Sequence, residues 1–402
     1  FISLSSFSKD LNESYAEVMD YFYNDDYNTS RDKALILLNE AKEASSYTLM
    51  CKLYFLLGYI SEYDDDFGMA IIYYLEGSRY GQISSDESIK KTVVSIHKNL
   101  GSILGDYKHY SLAYKFIDEG VSIARSYNLS EQVESLLNNK IHEYVDESKF
   151  KDALTLIDSV RLLFPNMEQE RVVKLLNKEG VAFQSIGDTR KALQSYNQVL
   201  ENKASYGLDV FAICSQNIGT ILEKQGQMQE AIVMYQKSIE YSIEHNFDRW
   251  EFEGYEKIGS VYYNIGKFDS ALHYFQLAEN LIGKGDQDPD SYEIYQYMSN
   301  VYSSQNKFET ALEYRKRYSI KLEEYIAVQN KINEDEKQYN IQLLTDRYYD
   351  LLAADMEQKE TERLAKFGIG GTASFFMIIL SIMVYRQRRT KTLLAREINE
   401  LH

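Results

Sequence analysis

Apolar residues recur along most of the chain at the three- and four-residue spacing of amphipathic helices, in blocks of about 40 residues. The pattern is clearest in three consecutive segments, Glu179–Leu200, Asn217–Ile239 and Lys257–Ala278. In each segment a glycine is followed twelve residues later by an alanine and four residues after that by an aromatic residue. These residues are Gly180, Ala192 and Tyr196; Gly219, Ala231 and Tyr235; and Gly259, Ala271 and Phe275.

The alanine extends this repeat in both directions. It recurs with steps of 36 to 43 residues at Ala34, Ala70, Ala113, Ala153, Ala192, Ala231, Ala271 and Ala311. A small residue in a first helix and the alanine in a second helix allow two antiparallel helices to approach closely. We expect the aromatic side chain to fill the space against the next unit. A second glycine, at Gly187, Gly226 and Gly266, is expected to form the turn between the helices.

This arrangement resembles the tetratricopeptide repeat over residues 12–318, most clearly in the last four units. The resemblance implies an all-α fold, a TPR-like α-solenoid in which about eight helix pairs form a right-handed superhelix. The units are longer than the standard repeat of about 34 residues, and longer units occur in tetratricopeptide proteins that sense peptides. The first unit, around Phe22 and Ala34, matches least well and is expected to act as a cap.

The resemblance also implies a binding groove lined by the first helices of the pairs. Residues two and three positions before the small residue should face this groove, together with Lys174 one turn earlier in the fifth unit. They are Lys98, Asn99, Asn138, Asn139, Asn177, Lys178, Gln216, Asn217, Glu256 and Lys257. Asn and Gln amides pair with peptide backbone groups, and lysines pair with carboxylates. The alternative is that these side chains only hydrate an exposed helix face.

In the first two units the corresponding face is apolar and aromatic. Its residues are Met19, Tyr23, Phe55, Leu56, Tyr59 and Tyr63. An exposed surface of this composition would be a protein-docking patch. The alternative is that a neighbouring helix covers it.

The pattern changes after the repeats. Residues 319–366 are highly charged, contain neither Pro nor Gly, and predict a long charged helix or two such helices. Near-heptad spacing relates Ile332, Tyr339, Leu344, Tyr348 and Leu351, although Glu336 and Asp355 interrupt it. The spacing therefore leaves open a coiled coil, which would join two copies of the chain as a homodimer.

Residues 367–385 form a run of 19 residues without a charge. At about 1.5 Å per residue, such a helix spans the roughly 30 Å of bilayer hydrocarbon, so we expect a transmembrane helix rather than a buried core helix. Basic residues follow at Arg386, Arg388, Arg389 and Lys391. Positive charge marks the cytoplasmic side, which predicts a cytoplasmic amphipathic tail at 386–402 and external repeats, periplasmic at a bacterial inner membrane.

Residues 1–11 begin with the apolar, serine-rich sequence FISLSSFS. Such a sequence is typical of the end of a secretory signal peptide. A signal-peptide remnant would agree with external repeats. The other interpretation is an ordinary frayed N-terminus.

Composition narrows the classes of function. The 402 residues carry a formal net charge of −17, which disfavours nucleic-acid binding, and only two are proline, which favours a helical chain. The six histidines are scattered, and no nucleotide-binding loop, nucleophile elbow or Cys/His metal motif occurs. We therefore expect no enzyme activity, no cofactor and no metal ion.

The whole layout resembles membrane sensors of Bacteroidetes, in which external tetratricopeptide repeats are joined to a cytoplasmic histidine kinase or helix-turn-helix domain. The leading hypothesis is a receptor that binds a peptide or protein in its groove and signals across the membrane to such an effector. A membrane-tethered assembly scaffold or co-chaperone is the alternative. A third arrangement places the repeats in the cytoplasm, anchored by a C-terminal span.

Overall fold

The structure, a computed structural model, describes residues 2–202, 207–282, 292–331 and 334–366. These residues contain seventeen α-helices, a short 3-10 helix at Glu87–Ile89 and no β-strand. The helices are α1 (Ile2–Tyr23), α2 (Tyr27–Glu43), α3 (Tyr47–Tyr63), α4 (Phe67–Ile83), α5 (Lys90–Asp106), α6 (Tyr110–Ser126), α7 (Ser130–Asp146), α8 (Phe150–Leu163), α9 (Gln169–Ser185), α10 (Thr189–Glu201), α11 (Val210–Lys224), α12 (Met228–His245), α13 (Asp248–Asn264), α14 (Phe268–Glu279), α15 (Glu293–Ser304), α16 (Phe308–Lys331) and α17 (Glu334–Lys366).

The helices of the compact unit formed by residues 1–345 are arranged in pairs. Eight consecutive pairs run from α1 with α2 to α15 with α16, and each of these helices contacts the next along the chain. The expected all-helical stack of about eight helix pairs is therefore confirmed. Residues 346–402 form the second compact unit, which is described only as far as residue 366.

A side chain from the second helix of a pair lies across the small residue of its own first helix. Tyr235 of α12 crosses Gly219 of α11 so closely that a Cβ atom on Gly219 would lie 2.5 Å from the ring. The same contact, at 2.4 to 2.6 Å, pairs Gly58 with Tyr74, Gly101 with Ile117, Gly180 with Tyr196 and Gly259 with Phe275. The aromatic residue also contacts the next unit, as predicted: the ring of Phe275 stacks on that of Tyr297 in α15, with 5.4 Å between the ring centroids. The prediction missed that the glycine opens a slot for the ring within its own pair.

Each tyrosine in this slot has a polar partner four residues after the glycine. The hydroxyl groups of Tyr74, Tyr196 and Tyr235 donate to Glu62 (2.7 Å), Gln184 (2.8 Å) and Glu223 (3.0 Å), respectively. In the seventh pair the slot holds Phe275, which has no hydroxyl group. The position four residues after the glycine is Tyr263 in this pair, instead of a carboxylate or an amide. An unsatisfied buried hydroxyl costs about 1–3 kcal/mol, which explains why the carboxylate or amide accompanies the tyrosine.

Each pair turns through one residue with a positive φ angle. Gly187, Gly226 and Gly266 have φ angles between +77° and +84°, which confirms the predicted turn glycines. In the other five pairs φ lies between +59° and +63°, at Asp25, Asp65, Lys108, Ser148 and Asn306.

The eight alanines are all buried, with at most 5% of each exposed. In the second to eighth pairs the alanine lies five residues after the turn residue. In the first pair that position is Ser30, whose hydroxyl donates to the backbone oxygen of Val18 at 3.1 Å. Ala34 lies one turn later, at the position of the slot side chain, so the predicted register was wrong in this pair. A small side chain at Ala34 is compatible with the larger Val18 in place of glycine.

The expected boundary between residues 318 and 319 falls inside a helix, because α16, the second helix of the eighth pair, runs continuously from Phe308 to Lys331. Among the described side chains of α17, Ile341, Thr345, Tyr348 and Leu352 are buried, and Leu351 is 36% exposed. The coiled coil between two copies of the chain stays a prediction.

The predictions for the two ends of the chain concern residues that the structure describes only in part. Residues 2–23 form α1, so helix begins within the segment 1–11. The predicted transmembrane helix at 367–385, its basic flank and the tail at 386–402 lie outside the described residues. Among the helices that are described, none is long and apolar enough to cross a membrane.

We expect Gly219→Ala to destabilise the repeat unit by about 1–3 kcal/mol, because the added methyl group would overlap the Tyr235 ring. Gly226→Asn is the matched control. An asparagine adopts φ +59° at the equivalent turn position, Asn306, and nothing lies within 4 Å of a Cβ atom on Gly226. Urea denaturation followed by circular dichroism measures both variants. Equal losses of stability would contradict the packed slot at Gly219.

Candidate functional site: the first-helix face

The first helices of successive pairs contact one another directly. Among the described residues, these contacts run from α3 through α5, α7, α9, α11 and α13 to α15, whereas successive second helices have no contacts of that extent. The first helices therefore form the more closely packed side of the stack. We call the position of the slot glycine the slot position; it holds Ile141 in α7 and Ser299 in α15. We define the first-helix face as the surface at positions two and three residues before the slot position and one and five residues after it.

Most of the predicted groove residues lie half-buried on this face. They are Lys98, Asn99, Asn138, Asn139, Asn177, Lys178, Asn217 and Lys257. Lys174 is exposed and pairs with Glu170 of its own helix, with 2.7 Å between Nζ and Oε1. Half-burial at equivalent positions means that these polar groups are partly desolvated but still reach the surface.

Several of these side chains connect one first helix to a neighbouring element. The Lys178 ammonium donates to the backbone oxygen of Asn138 in α7 at 2.9 Å. The Asn177 amide oxygen accepts from the Cys214 thiol of α11 at 3.4 Å. The Asn99 amide donates to the hydroxyl of Tyr74, the slot side chain of the preceding pair, at 2.9 Å. These hydrogen bonds hold the three side chains at the contacts between neighbouring helix pairs.

Two other amides remain open on this face. The side chains of Asn139 and Asn217 have no hydrogen bond to any residue that the structure describes. Each presents both a donor and an acceptor, the combination that an extended peptide backbone requires.

Gln216 does not belong to this face, and its assignment to the groove was wrong. Only 5% of the residue is exposed, and its amide donates to the Ser238 hydroxyl (3.2 Å) and the Trp250 backbone oxygen (2.9 Å). The amide thus bonds α11 to the next two helices. Its position in α11 is rotated inward, which leaves its neighbour Asn217 at the surface.

The aromatic surface predicted for the first two pairs is largely exposed. Tyr23, Tyr59 and Tyr63 are 75%, 44% and 64% exposed, whereas Leu56 is buried. Ring contacts connect the cluster, including one of 4.4 Å between the centroids of Tyr63 and Tyr27. Tyr59 and Tyr63 occupy the two positions of the first-helix face that follow the small residue.

A buried carboxyl group on α7 was not predicted. The position two residues after the slot position is buried in every pair from the second to the eighth. Its occupants are Ile60, Ile103, Glu143, Ala182, Ile221, Val261 and Val301. Glu143 is the one polar residue among these seven. A polar residue at a position that is otherwise apolar is the signal by which the sequence could have indicated this buried carboxyl group.

The surroundings of Glu143 disfavour the ionised form of its side chain. The residue is 1% exposed, and its Oε2 has no hydrogen-bond partner among the described residues. This oxygen lies against Gly105 of α5, only 1.6 Å from where a Cβ atom would be. Burial, together with the charges of Asp106 and Asp146, raises the pKa of Glu143 to about 8, and the Lys178 ammonium opposes this shift only in part.

Burial also acts on the neighbouring base. It lowers the pKa of Lys178 to about 8, against the opposing effect of Glu143 and Asp146. The two exposed carboxylates above Glu143 belong to Asp106 at the end of α5 and Asp146 at the end of α7. His142 also lies at this surface, with 3.7 Å between its Nδ1 and Asp146 Oδ1.

The described part of the chain contains no group of three or more His, Cys, Asp or Glu residues placed to hold a metal ion. The arrangement on the first-helix face is instead suited to non-covalent recognition. It combines amides, an exposed aromatic cluster, an acidic region on α5 and α7 and lysines on α9.

Comparisons with known proteins identify the repeat. A family model of the tetratricopeptide repeat matches residues 214–242 and 252–283, which correspond to the sixth and seventh helix pairs. No curated protein sequence matches the chain.

Solved structures show the same fold at low sequence identity. One is the signal transduction ATPase with numerous domains from Pyrococcus horikoshii, which has a tetratricopeptide repeat sensor. It is 13% identical, with 82% of this chain and 50% of that chain covered and a TM-score of 0.56. The apo form of RapI is 13% identical over 69% of this chain and 100% of its own, with a TM-score of 0.54. The chain therefore contains tetratricopeptide repeats at residues 214–242 and 252–283, and its helix pairs share the fold of these solved structures.

Proposed function

We propose that the first-helix face binds an extended segment of a peptide or a protein partner. The observation that carries this proposal is the recurrence of half-buried amides at equivalent positions of successive first helices, with Asn139 and Asn217 unbonded to described residues. A peptide laid across α5, α7, α9 and α11 meets at least one amide in each of these helices. Backbone pairing of this kind gives affinity with little dependence on sequence.

The second part of the proposal concerns the membrane. The uncharged residues 367–385 and the basic residues that follow support a single span, with the repeats outside the cytoplasm and the tail inside it. In this arrangement the repeats are the receptor of a bacterial inner-membrane protein that signals to a cytoplasmic histidine kinase or helix-turn-helix regulator. This architecture follows the resemblance to Bacteroidetes sensors.

We further propose that these residues bind rather than catalyse. The alternative function is a membrane-tethered scaffold or co-chaperone with no effector. The two functions differ in whether occupancy of the face changes an activity on the other side of the membrane. Signalling requires such a change, whereas a scaffold requires binding alone.

The double variant Asn177→Ala/Asn217→Ala tests binding. We expect it to weaken peptide affinity by about 1–3 kcal/mol, because each lost hydrogen bond is worth about 0.5–1.5 kcal/mol. Fluorescence anisotropy with labelled hits from a peptide array measures the affinity, and helical content should be unchanged.

The matched control for this test is Asn197→Ala/Gln236→Ala. These exposed amides lie on α10 and α12, the second helices of the same two pairs. Equal effects of the two double variants, or no effect of either, would contradict binding at the first-helix face.

The proposed topology is tested by cysteine labelling of intact cells with a membrane-impermeant maleimide. A cysteine at Thr392 should react only after the membrane is permeabilised, whereas one at the exposed Asp152 on α8 should react directly. The native Cys51 and Cys214 are buried thiols and should contribute little background. The reverse pattern would place the repeats in the cytoplasm.

A further inference from the structure

We propose that Asp106, Glu143 and Asp146 form a subsite of the first-helix face that receives an organic cation, the ammonium or guanidinium group of a bound peptide. This inference rests on the proposed function, because it specifies the chemistry of a ligand at the same surface.

The three carboxyl groups form two levels. Asp106 and Asp146 occupy the same position of neighbouring units, five residues after Gly101 of α5 and after Ile141, which stands at the equivalent position of α7, and both are exposed. Glu143 lies on α7 one turn before Asp146 and is buried. A cation that approaches between the two helices would meet the exposed pair first and the buried carboxylate beneath it.

The raised pKa of about 8 keeps Glu143 mostly protonated at neutral pH, because its ionised form lacks the partner that a buried carboxylate requires. A carboxylate taken out of water is strongly destabilised unless a cation or several donors compensate it. Glu143 Oε2 has no donor among the described residues, and the nearby Lys178 ammonium donates to the backbone oxygen of Asn138. A ligand cation would supply the missing partner.

The local sequence makes room for this carboxylate. Gly105 lies four residues after the slot glycine of α5. At this position other pairs carry the hydrogen-bond partner of the slot tyrosine, such as Glu62 and Glu223. The slot in this pair holds Ile117, which needs no partner, so the position is free to be glycine. A side chain at Gly105 would overlap the Glu143 carboxylate.

The charges around the subsite favour a cation over an anion. The groups that face it from the packed helices are Glu62 of α3, Asp106 of α5, Tyr110 and Tyr114 of α6, His142, Asp146 and Glu147 of α7, and Lys178 of α9. Glu147 is already engaged by the Tyr114 hydroxyl and by Lys149, and Glu62 accepts from the Tyr74 hydroxyl. The three carboxyl groups of Asp106, Glu143 and Asp146 still outnumber the single lysine and the histidine.

The preceding helix pair places exposed tyrosine rings beside the subsite, which would favour an aromatic residue in the same peptide. Tyr59 and Tyr63 of α3 occupy the positions equivalent to Ser102 and Asp106 of α5, and both rings are exposed. Packed helices lie about 8–10 Å apart, and an extended peptide advances about 3.3 Å per residue. A peptide that places an aromatic residue on these tyrosines would therefore place its cation about three residues away.

The test uses the full chain and pools of acetylated, amidated hexapeptides with tyrosine at position 2 and four random positions. Position 5 is arginine, lysine, norleucine or glutamate. We expect the arginine or lysine pool to bind at least tenfold more tightly than the norleucine pool, and the glutamate pool to bind most weakly. A norleucine pool with a free amino terminus distinguishes a terminal ammonium group from a side-chain cation.

Two variants assign the preference to the subsite. Glu143→Gln and Asp106→Asn/Asp146→Asn should each reduce the cation preference to less than threefold while the norleucine pool binds as before. The control Asp152→Asn/Asp158→Asn removes the same charge from exposed positions of α8 and should retain the preference. A preference that survives the first two variants would overturn the subsite but leave the proposed function intact. Failure of every pool to bind would contradict both.

A second measurement does not depend on a peptide. Glu143 has a pKa near 8 in the folded chain, against 4.5 as its ordinary value. Between these values the folded chain holds a proton that the unfolded chain has released, so this contribution to stability is present at pH 5 and is lost towards pH 8. The melting temperature of Glu143→Gln relative to the parent chain should therefore rise from pH 5 to pH 8. A difference that does not change with pH would show that Glu143 is already compensated and would overturn the proposal.

Discussion

A side chain laid across a glycine brings the two helices of a pair together. The locations of the other equivalent residues in successive pairs follow from this contact. When Tyr235 fills the space over Gly219, the relative depth and rotation of α11 and α12 are both fixed. The same contact recurs in five pairs, with tyrosine, phenylalanine or isoleucine in the slot. Because interiors are close-packed, a contact of this kind leaves little freedom for one helix to slide along the other.

Repetition of this contact aligns equivalent residues of successive first helices. The position two residues after the small residue points into the stack, and the positions at which Asn139 and Asn217 lie remain at the surface. The same geometry buries Glu143, since the equivalent residues of the other pairs are buried and apolar. A buried carboxyl group at such a position costs stability, and it is accommodated here because Gly105 provides the space.

Much of this fold could be predicted from the sequence, because the glycine, alanine and aromatic residues recur with a nearly constant period. The contact of the aromatic ring with the glycine of its own pair could not be predicted, since periodicity does not say which neighbours a ring contacts. Ala34 was assigned to the position of the repeat alanine, although Ser30 occupies that position. The two residues lie one helical turn apart on the same face of α2, so the spacing of apolar residues does not distinguish them. Gln216 was misplaced because adjacent positions on a helix differ by about 100° of rotation, so one can be buried beside an exposed neighbour. The Glu143 subsite depends on three helices and emerges only when they are packed.

The central claim is that the packing which spaces the units also creates one binding surface on the first helices. Hydrogen–deuterium exchange of the full chain, with and without the tightest-binding peptide, measures this most directly. The account predicts that the peptide slows exchange in α5, α7, α9 and α11 and leaves α6, α8, α10 and α12 nearly unchanged. Slower exchange confined to the second helices, or to the loops between pairs, would contradict it.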